Sequence, residues 1–366
     1  MMDLVDTRWL VTGDTGFIGR RVVSILHHRG AQVCGLNRGD EGDLRQGSAW
    51  RSRLLGFAPH YVLHLAAAGA SGSIAPNELR EVNVEGTRIL LQTLCDSAAP
   101  PRVILAGTGA EYASQHRLLT EDDPLGPSSP YGESKAAAAL VAEAFKDQLS
   151  LTWLRLFNIY GPGEASQRLT PYLVQSACAG TPALLSSGDQ IRDFSYVDDV
   201  ANLLICSGLA ASRQPFWEVA NVGSGVVLSV RQFVECVGAA LLRHQLVLEA
   251  RYDARPPSAY DSPFYAPSVQ KMNQMMTEVD VLGGILAQIK DLTNQADAIK
   301  DQFKDIATLP EGAKVFEGVL FKSTVIEADR KTVDYKKMMA DLGVSDDTIA
   351  QYTSVTAVFS VKTTSR

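Results

Sequence analysis

Residues 12–19, TGDTGFIG, decide the fold that the sequence predicts. They lie between a short apolar run, RWLV (8–11), and a segment with the apolar periodicity of a helix. In this position Gly13 allows a tight turn, Gly16 lets the backbone approach a pyrophosphate, and Gly19 lets the helix pack closely on the strand. A glycine triplet alone is a weak signal. Between a strand and a helix, however, it predicts a dinucleotide site at the N-terminus of that helix.

Strands and helices continue to alternate after this turn. Apolar runs typical of buried strands follow at AQVCGLN (31–37), HYVLHLAA (60–67), RVILAGT (102–108) and LTWLRLFN (151–158). Helical segments are predicted at 17–30, 83–98 and 134–148, and this alternation is the pattern of a doubly wound parallel sheet covered on both faces. The predicted class is α/β, with a Rossmann domain over 1–160. Residues 161–272 are richer in Pro and Gly, and we expect a small lobe there with strands that return to the sheet.

The composition excludes several classes of protein. Of 366 residues, 46% are hydrophobic and 20% are charged, an ordinary globular balance. The net charge of -7 argues against a general nucleic-acid binder, and no apolar run approaches the roughly 18 residues of a membrane span. No signal-peptide pattern begins the sequence, and the five cysteines show no CxxC spacing. We therefore expect a cytoplasmic protein with reduced core thiols and with neither nucleic-acid nor membrane partners.

The carboxyl-terminal part of the chain differs in composition from the rest. Residues 1–272 contain 3 Lys and 20 Arg, whereas residues 273–366 contain 9 Lys and 2 Arg. Folding does not require such a change within one domain. We interpret the two parts as pieces of different ancestry, joined naturally or artificially.

This tail also has its own hydrophobic pattern. Apolar residues recur every three or four positions at Leu282, Ile285, Ile289, Leu292, Ala296, Ile299, Phe303 and Ile306. The spacing predicts a heptad helix over 273–309, either a self-associating coiled coil or an amphipathic helix packed within the monomer. The pattern after it predicts a small α+β module over 310–366, with strands at 314–328 and 354–364 and a helix at 332–343.

The end of the second predicted strand is the position that selects between nicotinamide dinucleotides. A carboxylate there accepts hydrogen bonds from the ribose hydroxyls, whereas a neutral or basic residue tolerates a 2′-phosphate. The sequence has Asn37 and Arg38 at this position, which favours NADP(H) over NAD(H). Arg38 is alternatively a solvated surface charge, and Asp43 and Leu44 are candidates to contact the adenine.

A second pattern, YGESK (131–135), places a phenol and an ammonium one turn apart on the same face of a predicted helix. A nearby Lys135 ammonium would stabilise the Tyr131 phenolate and lower its pKa. Thr108 lies at the carboxyl end of a predicted strand, where open α/β sheets bind their ligands. These three side chains are the candidate catalytic group, although Thr108 could instead satisfy a local turn.

Eight short motifs occur in order along the first part of the chain. They are TGDTGFIG (12–19), HLAAAG (64–69), NVEGT (83–87), GTGAEYA (107–113), YGESK (131–135), LRLFNIYGPG (154–163), RDFSYVDDV (192–200) and NVGSG (221–225). Together they resemble the extended short-chain dehydrogenase/reductases of the NAD-dependent epimerase/dehydratase family, enzymes that remodel nucleotide sugars. The resemblance covers residues 5–270 and implies a Rossmann domain followed by a small substrate lobe.

The resemblance implies a role for each residue at a matching position. Tyr131 would be the acid and base at the sugar carbon that undergoes hydride transfer, Lys135 would lower its pKa, and Thr108 would polarise the sugar oxygen. The implied contacts to NADP or NAD are Gly13, Thr15, Gly16, Phe17, Ile18, Gly19, Asn37, Arg38, Asp43, Leu44, Leu65, Ala66, Ala67 and Lys135. The implied contacts to a nucleotide-diphosphate sugar are Asn158, Arg192 and Arg255. No metal site is expected. The resemblance also implies that the chain forms a homodimer or a higher homo-oligomer.

One departure from the family narrows the reaction. Members that dehydrate the sugar carry an Asp-Glu pair directly after the catalytic Thr, whereas here those positions hold Gly109 and Ala110. Glu111 lies one place further, where a strand would direct it to the other face. Dehydration is therefore disfavoured, which leaves 4-epimerisation or the reduction of a 4-keto-6-deoxyhexose. GTGAEY resembles 4-keto-6-deoxyhexose reductases and related epimerases more than UDP-galactose epimerases.

A second departure leaves an alternative open. The closing segment that family members have after Arg255 begins here as SVQKM (268–272) and then stops. In the alternative, a truncated Rossmann scaffold is joined to a coiled-coil interaction module of phage type, and catalysis is absent. The intact Thr-Tyr-Lys group favours the enzyme.

Overall fold

The structure is a computed structural model. It describes residues 4–37, 43–69, 74–210, 214–257 and 260–275, together with the backbone of three short strands further along the chain. The chain divides into two compact units, 1–279 and 280–366. Each unit is described by itself below.

The first unit contains a central parallel sheet and several short strands outside it. The strands are β1 (Arg8–Thr12), β2 (Gln32–Leu36), β3 (Tyr61–His64), β4 (Arg102–Thr108), β5 (Ser150–Leu156), β6 (Asn158–Tyr160), β7 (Ala183–Leu184), β8 (Ile191–Tyr196), β9 (Phe216–Val222), β10 (Val227–Ser229), β11 (Ala250–Arg251) and β12 (Phe264–Tyr265). The central sheet has the order β2-β1-β3-β4-β5-β9, and every pairing in it is parallel. The strand order reverses between β1 and β3, so the carboxyl ends of these strands form the switch point at which open α/β sheets bind ligands.

Helices cover both faces of this sheet. They are α1 (Phe17–His28), α2 (Gly47–Phe57), α3 (Pro76–Arg80), α4 (Gly86–Cys95), α5 (Pro130–Glu143), α6 (Leu169–Ala179), α7 (Val197–Ala210) and α8 (Val230–Leu242). One core contains side chains of α2, α4 and α5, and the other contains side chains of α1 and α7. The prediction of a Rossmann-like α/β fold with a parallel central sheet is confirmed.

Two helical features differ from the expectation. The sequence did not indicate α2, which buries only Trp50 and Leu54. The helix expected to begin at residue 83 begins with α3, and a single wide helical turn at Glu81–Glu85 joins α3 to α4.

The smaller elements lie at the carboxyl edge of the sheet. Strand β8 pairs with β6, β10 and β12, and β7 pairs with β11. Helices α6 and α8 share a small core around Leu173 and Val234. Strand β9 returns to the central sheet beside β5.

In the second unit the structure describes β13 (Val315–Glu317), β14 (Phe321–Thr324) and β15 (Thr363–Ser365). They pair antiparallel in the order β13-β14-β15. The single strand expected over 314–328 thus contains two strands, β13 and β14. The heptad helix and the helix expected at 332–343 lie outside the described residues, so the coiled coil stays a prediction.

The described cysteines are free, but they are not all core residues. Cys34 is buried, whereas Cys178 and Cys236 are exposed on α6 and α8. None of the helices in the described ranges combines the length and hydropathy of a membrane span.

A buried histidine connects β1, β3 and α4. His64 is 3% exposed. Its Nδ1 lies 2.7 Å from the Thr12 hydroxyl, and its Nε2 lies 3.0 Å from the Thr87 hydroxyl. Burial, with a smaller contribution from Lys135, lowers the pKa of His64 to about 3. The ring is therefore neutral at physiological pH and acts as a structural hydrogen-bonding group.

We predict that His64 makes the fold acid-sensitive. The pKa of His64 is lower in the folded than in the unfolded chain, so its contribution to stability is lost as pH falls below about 6.5. Between pH 7 and pH 4, the native chain should lose about 3 kcal/mol more unfolding free energy than His64→Gln, at roughly 1.4 kcal/mol per pH unit. Urea unfolding at a series of pH values measures this difference, and equal losses in the two chains would contradict it.

Candidate functional site

The glycine turn between β1 and α1 has the geometry that the sequence predicted. Gly13 has φ of +69°, and a Cβ on it would lie 2.8 Å from the Ala66 nitrogen. A Cβ on Gly19 would lie 2.1 Å from the Gly13 carbonyl oxygen. A Cβ on Gly16 would meet only that same oxygen, at 3.0 Å, so the space above Gly16 is open. No side chain caps α1, and its first amides and its positive dipole end fit the pyrophosphate of a dinucleotide.

The other candidate residues for binding the dinucleotide differ in their contacts and burial. Asn37 follows β2 and donates a hydrogen bond from Nδ2 to Asp14 Oδ2 over 3.4 Å. Asp43 is ion-paired with Arg45, and Leu44 is buried in the core. The contacts of Asp43 and Leu44 with the adenine stay predictions, and Arg38 lies outside the described residues.

The remaining candidates border the glycine turn. Ala66 donates its N–H to the Thr12 hydroxyl over 3.2 Å, which holds the loop after β3 against β1. Thr15 and Gly16 in the turn before α1 are exposed, and Phe17 and Ile18 at the start of α1 are half-buried. Leu65 and Ala67 lie in the same loop as Ala66 and are half-buried.

The structure brings Thr108 and the start of α5 together. Thr108 ends β4, and a 3-10 turn at Gly109–Glu111 follows it. The Ser129 hydroxyl accepts a hydrogen bond from the Gly132 N–H and so caps α5. A Cβ on Gly132 would lie 2.3 Å from the Ala110 carbonyl oxygen. This close approach is possible only for glycine, and it sets the adjacent Tyr131 beside the turn after β4.

Burial is the main influence on the pKa of both Tyr131 and Lys135. Burial lowers the pKa of Lys135 to about 8, although Glu111 opposes this change. Its ammonium lies 5.2 Å from the centre of the Trp153 ring. Burial raises the pKa of Tyr131 well above its usual range, and the cation that opposes this is Arg168. The phenol of Tyr131 is therefore neutral in this structure, in contrast to the lowered pKa expected from Lys135.

Glu111 is fully buried in a structural network. Its carboxylate accepts hydrogen bonds from the Thr108 N–H at 2.8 Å, from Trp153 Nε1 at 3.1 Å and from Arg155 Nε at 2.9 Å. Arg155 also donates to the Tyr112 hydroxyl over 2.7 Å. Since these groups occupy both carboxylate oxygens, Glu111 fits a positioning role.

Packing closes the position where dehydratases have their Asp. A Cβ on Gly109 would lie 2.6 Å from the ring of Phe157 and 2.8 Å from the Tyr265 hydroxyl. Phe157 is 6% exposed, so its ring has little room to move. An acidic side chain at residue 109 is sterically excluded in this structure.

Tyr265 is a further candidate site residue, which the sequence analysis missed. Its hydroxyl shares a hydrogen bond with Thr108, and burial raises its pKa to about 12. It lines an open cleft with an empty volume of about 430 Å³ beside Gly109, Ala110 and Tyr112. A tyrosine 157 positions away in the sequence offers no local signal of this contact.

The three candidate residues for binding the nucleotide sugar lie outside the central sheet. Asn158 on β6 donates to the Asp193 carbonyl over 3.1 Å, and Arg192 on β8 is buried and ion-paired with Asp261. Arg255 is exposed, with its guanidinium 5.9 Å from the centre of the Tyr172 ring. An Arg192 clamp on a pyrophosphate would therefore have to exchange with or include Asp261. Within the described ranges, no group of three His, Cys, Asp or Glu could hold a metal ion.

Comparison with known proteins identifies the relatives of this arrangement. The model of the NAD dependent epimerase/dehydratase family matches residues 9–223. The chain is 30% identical over 263 residues to UDP-glucuronate 4-epimerase from Thermodesulfobacterium geofontis, covering 62% of this chain and 78% of the relative. It is 30% identical over 283 residues to dTDP-glucose 4,6-dehydratase from Xanthomonas campestris, covering 68% of this chain and 79% of that enzyme.

A solved structure agrees with these sequence relatives. MoeE5 in complex with UDP-glucuronic acid and NAD is 28% identical and superposes with a TM-score of 0.63. The superposition covers 73% of this chain and 92% of MoeE5.

We predict that Glu111→Gln is destabilising because it leaves Arg155 buried without its counter-charge. The expected loss in unfolding free energy is about 3 kcal/mol or more. Denaturant unfolding measures it, and Glu133→Gln on the exposed face of α5 is the matched control, expected to change stability by less than about 0.5 kcal/mol. A Glu111→Gln chain with native stability and no activity would instead show a catalytic carboxylate.

Proposed function

The chain belongs to the NAD-dependent epimerase/dehydratase family, and we propose that it is a nucleotide-sugar 4-epimerase or 4-keto-6-deoxyhexose reductase. The observation that carries the proposal is the close packing of the start of α5 on the turn after Thr108. This packing sets Tyr131 beside the turn that follows Thr108, at the carboxyl end of β4. In the proposal, both side chains act on the same sugar oxygen.

Tyr131 is the proton-transferring group of the proposal. Burial keeps its phenol neutral, so it can donate a proton to a ketone oxygen during reduction of the sugar. In the reverse direction the phenolate accepts the proton of the sugar hydroxyl. Thr108 donates a hydrogen bond to the same oxygen when substrate replaces its bond to Tyr265.

Lys135 supplies a buried positive charge beside this proton transfer. With a pKa of about 8, most of it is protonated at neutral pH. A bound nicotinamide dinucleotide supplies the hydride acceptor and donor at the sugar carbon. The proposal covers both NAD, which MoeE5 binds in its solved complex, and NADP, which Asn37 and Arg38 favour.

Three observations support the choice of reaction. One relative is a 4-epimerase, and GTGAEY resembles 4-keto-6-deoxyhexose reductases. Dehydration is disfavoured although another relative is a dehydratase, because Gly109 has no room for an acid and Glu111 is held in a structural network.

The proposal includes the substrate lobe and a homo-oligomer. Asn158 on β6, together with Arg192 and Arg255 in 161–272, would bind the nucleotide-diphosphate sugar. A homodimer would form through α4 and α5. Leu140 on α5 is 64% exposed and would be available for such a contact.

We predict that Tyr131→Phe lowers kcat by about 10²- to 10⁴-fold, because the general acid and base is removed. The affinity for NADH should change little, since the hydroxyl is the only group lost. The measurement is turnover of UDP-glucose, UDP-glucuronic acid and a dTDP-4-keto-6-deoxyhexose, with dinucleotide binding by calorimetry. Tyr61→Phe is the matched control, since Tyr61 lies at the amino end of β3.

Two outcomes would contradict the proposal. Turnover unaffected by Tyr131→Phe would exclude this residue as the acid. A folded chain that binds neither dinucleotide would favour the alternative in which a Rossmann scaffold serves an interaction module.

A further inference from the structure

A carboxylate lies beside Asn37, although the sequence has no acid at the end of β2. Asp14 is the second residue of the glycine turn, and its Oδ2 accepts the hydrogen bond from Asn37 Nδ2 over 3.4 Å. The side chain reaches across from β1 to β2. A carboxylate therefore lies within hydrogen-bond distance of the side chain at the end of β2.

Gly35 makes this position possible. A Cβ on Gly35 would lie 2.1 Å from Asp14 Oδ2 and 2.7 Å from the carboxyl carbon. Gly35 is in β2, and Asn37, the first residue after the strand, is two positions further along the chain. The Asp14 carboxylate thus fills the space where a side chain at residue 35 would otherwise stand.

The second oxygen of this carboxylate has no partner. Asp14 Oδ1 is buried and makes no hydrogen bond. A buried anionic oxygen without a donor is costly, so such an atom marks a place where a ligand donor is missing. The fitting donor is the hydroxyl of an adenosine ribose, because the dinucleotide enters over the adjacent Gly16.

We propose that Asp14 is the specificity-determining carboxylate for the adenosine ribose and that it makes the chain selective for NAD(H) over NADP(H). The inference rests on the proposed dinucleotide site. In NAD(H) the free 2′-hydroxyl donates to the Asp14 carboxylate while Asn37 holds the other oxygen. In NADP(H) the 2′-phosphate replaces this donor with negative charge next to a carboxylate, which disfavours binding. This reverses the preference that Asn37 and Arg38 predict.

The test is calorimetric titration of the full chain with NADH and with NADPH. The native chain should bind NADH at least about 10-fold more tightly than NADPH, the effect of one charge-assisted hydrogen bond. Asp14→Asn is nearly isosteric and removes the charge. It should weaken NADH binding by about 10-fold and strengthen NADPH binding, so that the preference disappears.

Two further variants sharpen the result. The double variant Asp14→Asn, Asn37→Asp exchanges the amide and the carboxylate between the two hydrogen-bonded positions. It should regain the preference for NADH. Asp6→Asn is the matched control, since Asp6 is exposed before the start of β1, and it should leave both affinities unchanged.

The outcomes separate this inference from the proposed function. If NADPH binds the native chain more tightly, or if Asp14→Asn leaves the affinity ratio unchanged, Asp14 is not the selecting residue while the dinucleotide site stands. Failure of the double variant to regain the preference would overturn the shared ribose contact. Binding of neither dinucleotide to the native chain would overturn both the inference and the proposed function.

Discussion

One buried carboxylate, that of Glu111, determines how the carboxyl ends of the central strands are arranged. It receives the Thr108 N–H from β4 and the side chains of Trp153 and Arg155 from β5. The Tyr112 hydroxyl then donates to Asn221 on β9. A charge removed from water is tolerated only when its lone pairs are filled, so these strand ends cannot shift independently.

The same network supports the candidate catalytic group. Thr108 is fixed through its backbone by Glu111, and the Lys135 ammonium lies over the Trp153 ring. A side chain on Gly107 would collide with Trp153 and Glu111 at 2.2 and 2.7 Å. The geometry of this candidate group thus depends on a network of buried polar side chains, and the two hydrophobic cores hold the helices against the sheet.

The sequence predicts what depends on local pattern and misses what depends on distant partners. The glycine turn and the parallel strands were predictable, because apolar runs and glycine spacing follow from local burial and backbone geometry. Helix α2 was missed because two buried residues in eleven make a weak apolar stripe. The early start at α3 was missed because the helix widens by one turn at Glu81–Glu85, which no local signal marks.

Most of the candidate site residues were named from motifs, but their partners were not. Arg192 pairs with Asp261, and Thr108 bonds to Tyr265, across separations that the fold alone brings together. The contact of Asp14 with Asn37 likewise required the register of β1 against β2. These partners influence protonation and availability, so the motifs indicate candidate residues and the fold determines their contacts.

The packing around Gly109 also constrains how this chain can change during evolution. Phe157 and Tyr265 close on the glycine, so an acid introduced there first would meet a steric barrier before it gained any chemical use. The order of substitutions is therefore constrained, because Phe157 or Tyr265 has to be replaced by a smaller residue before a larger residue fits at position 109. In a chain with this aromatic pair, an acid at residue 109 therefore needs more than one substitution.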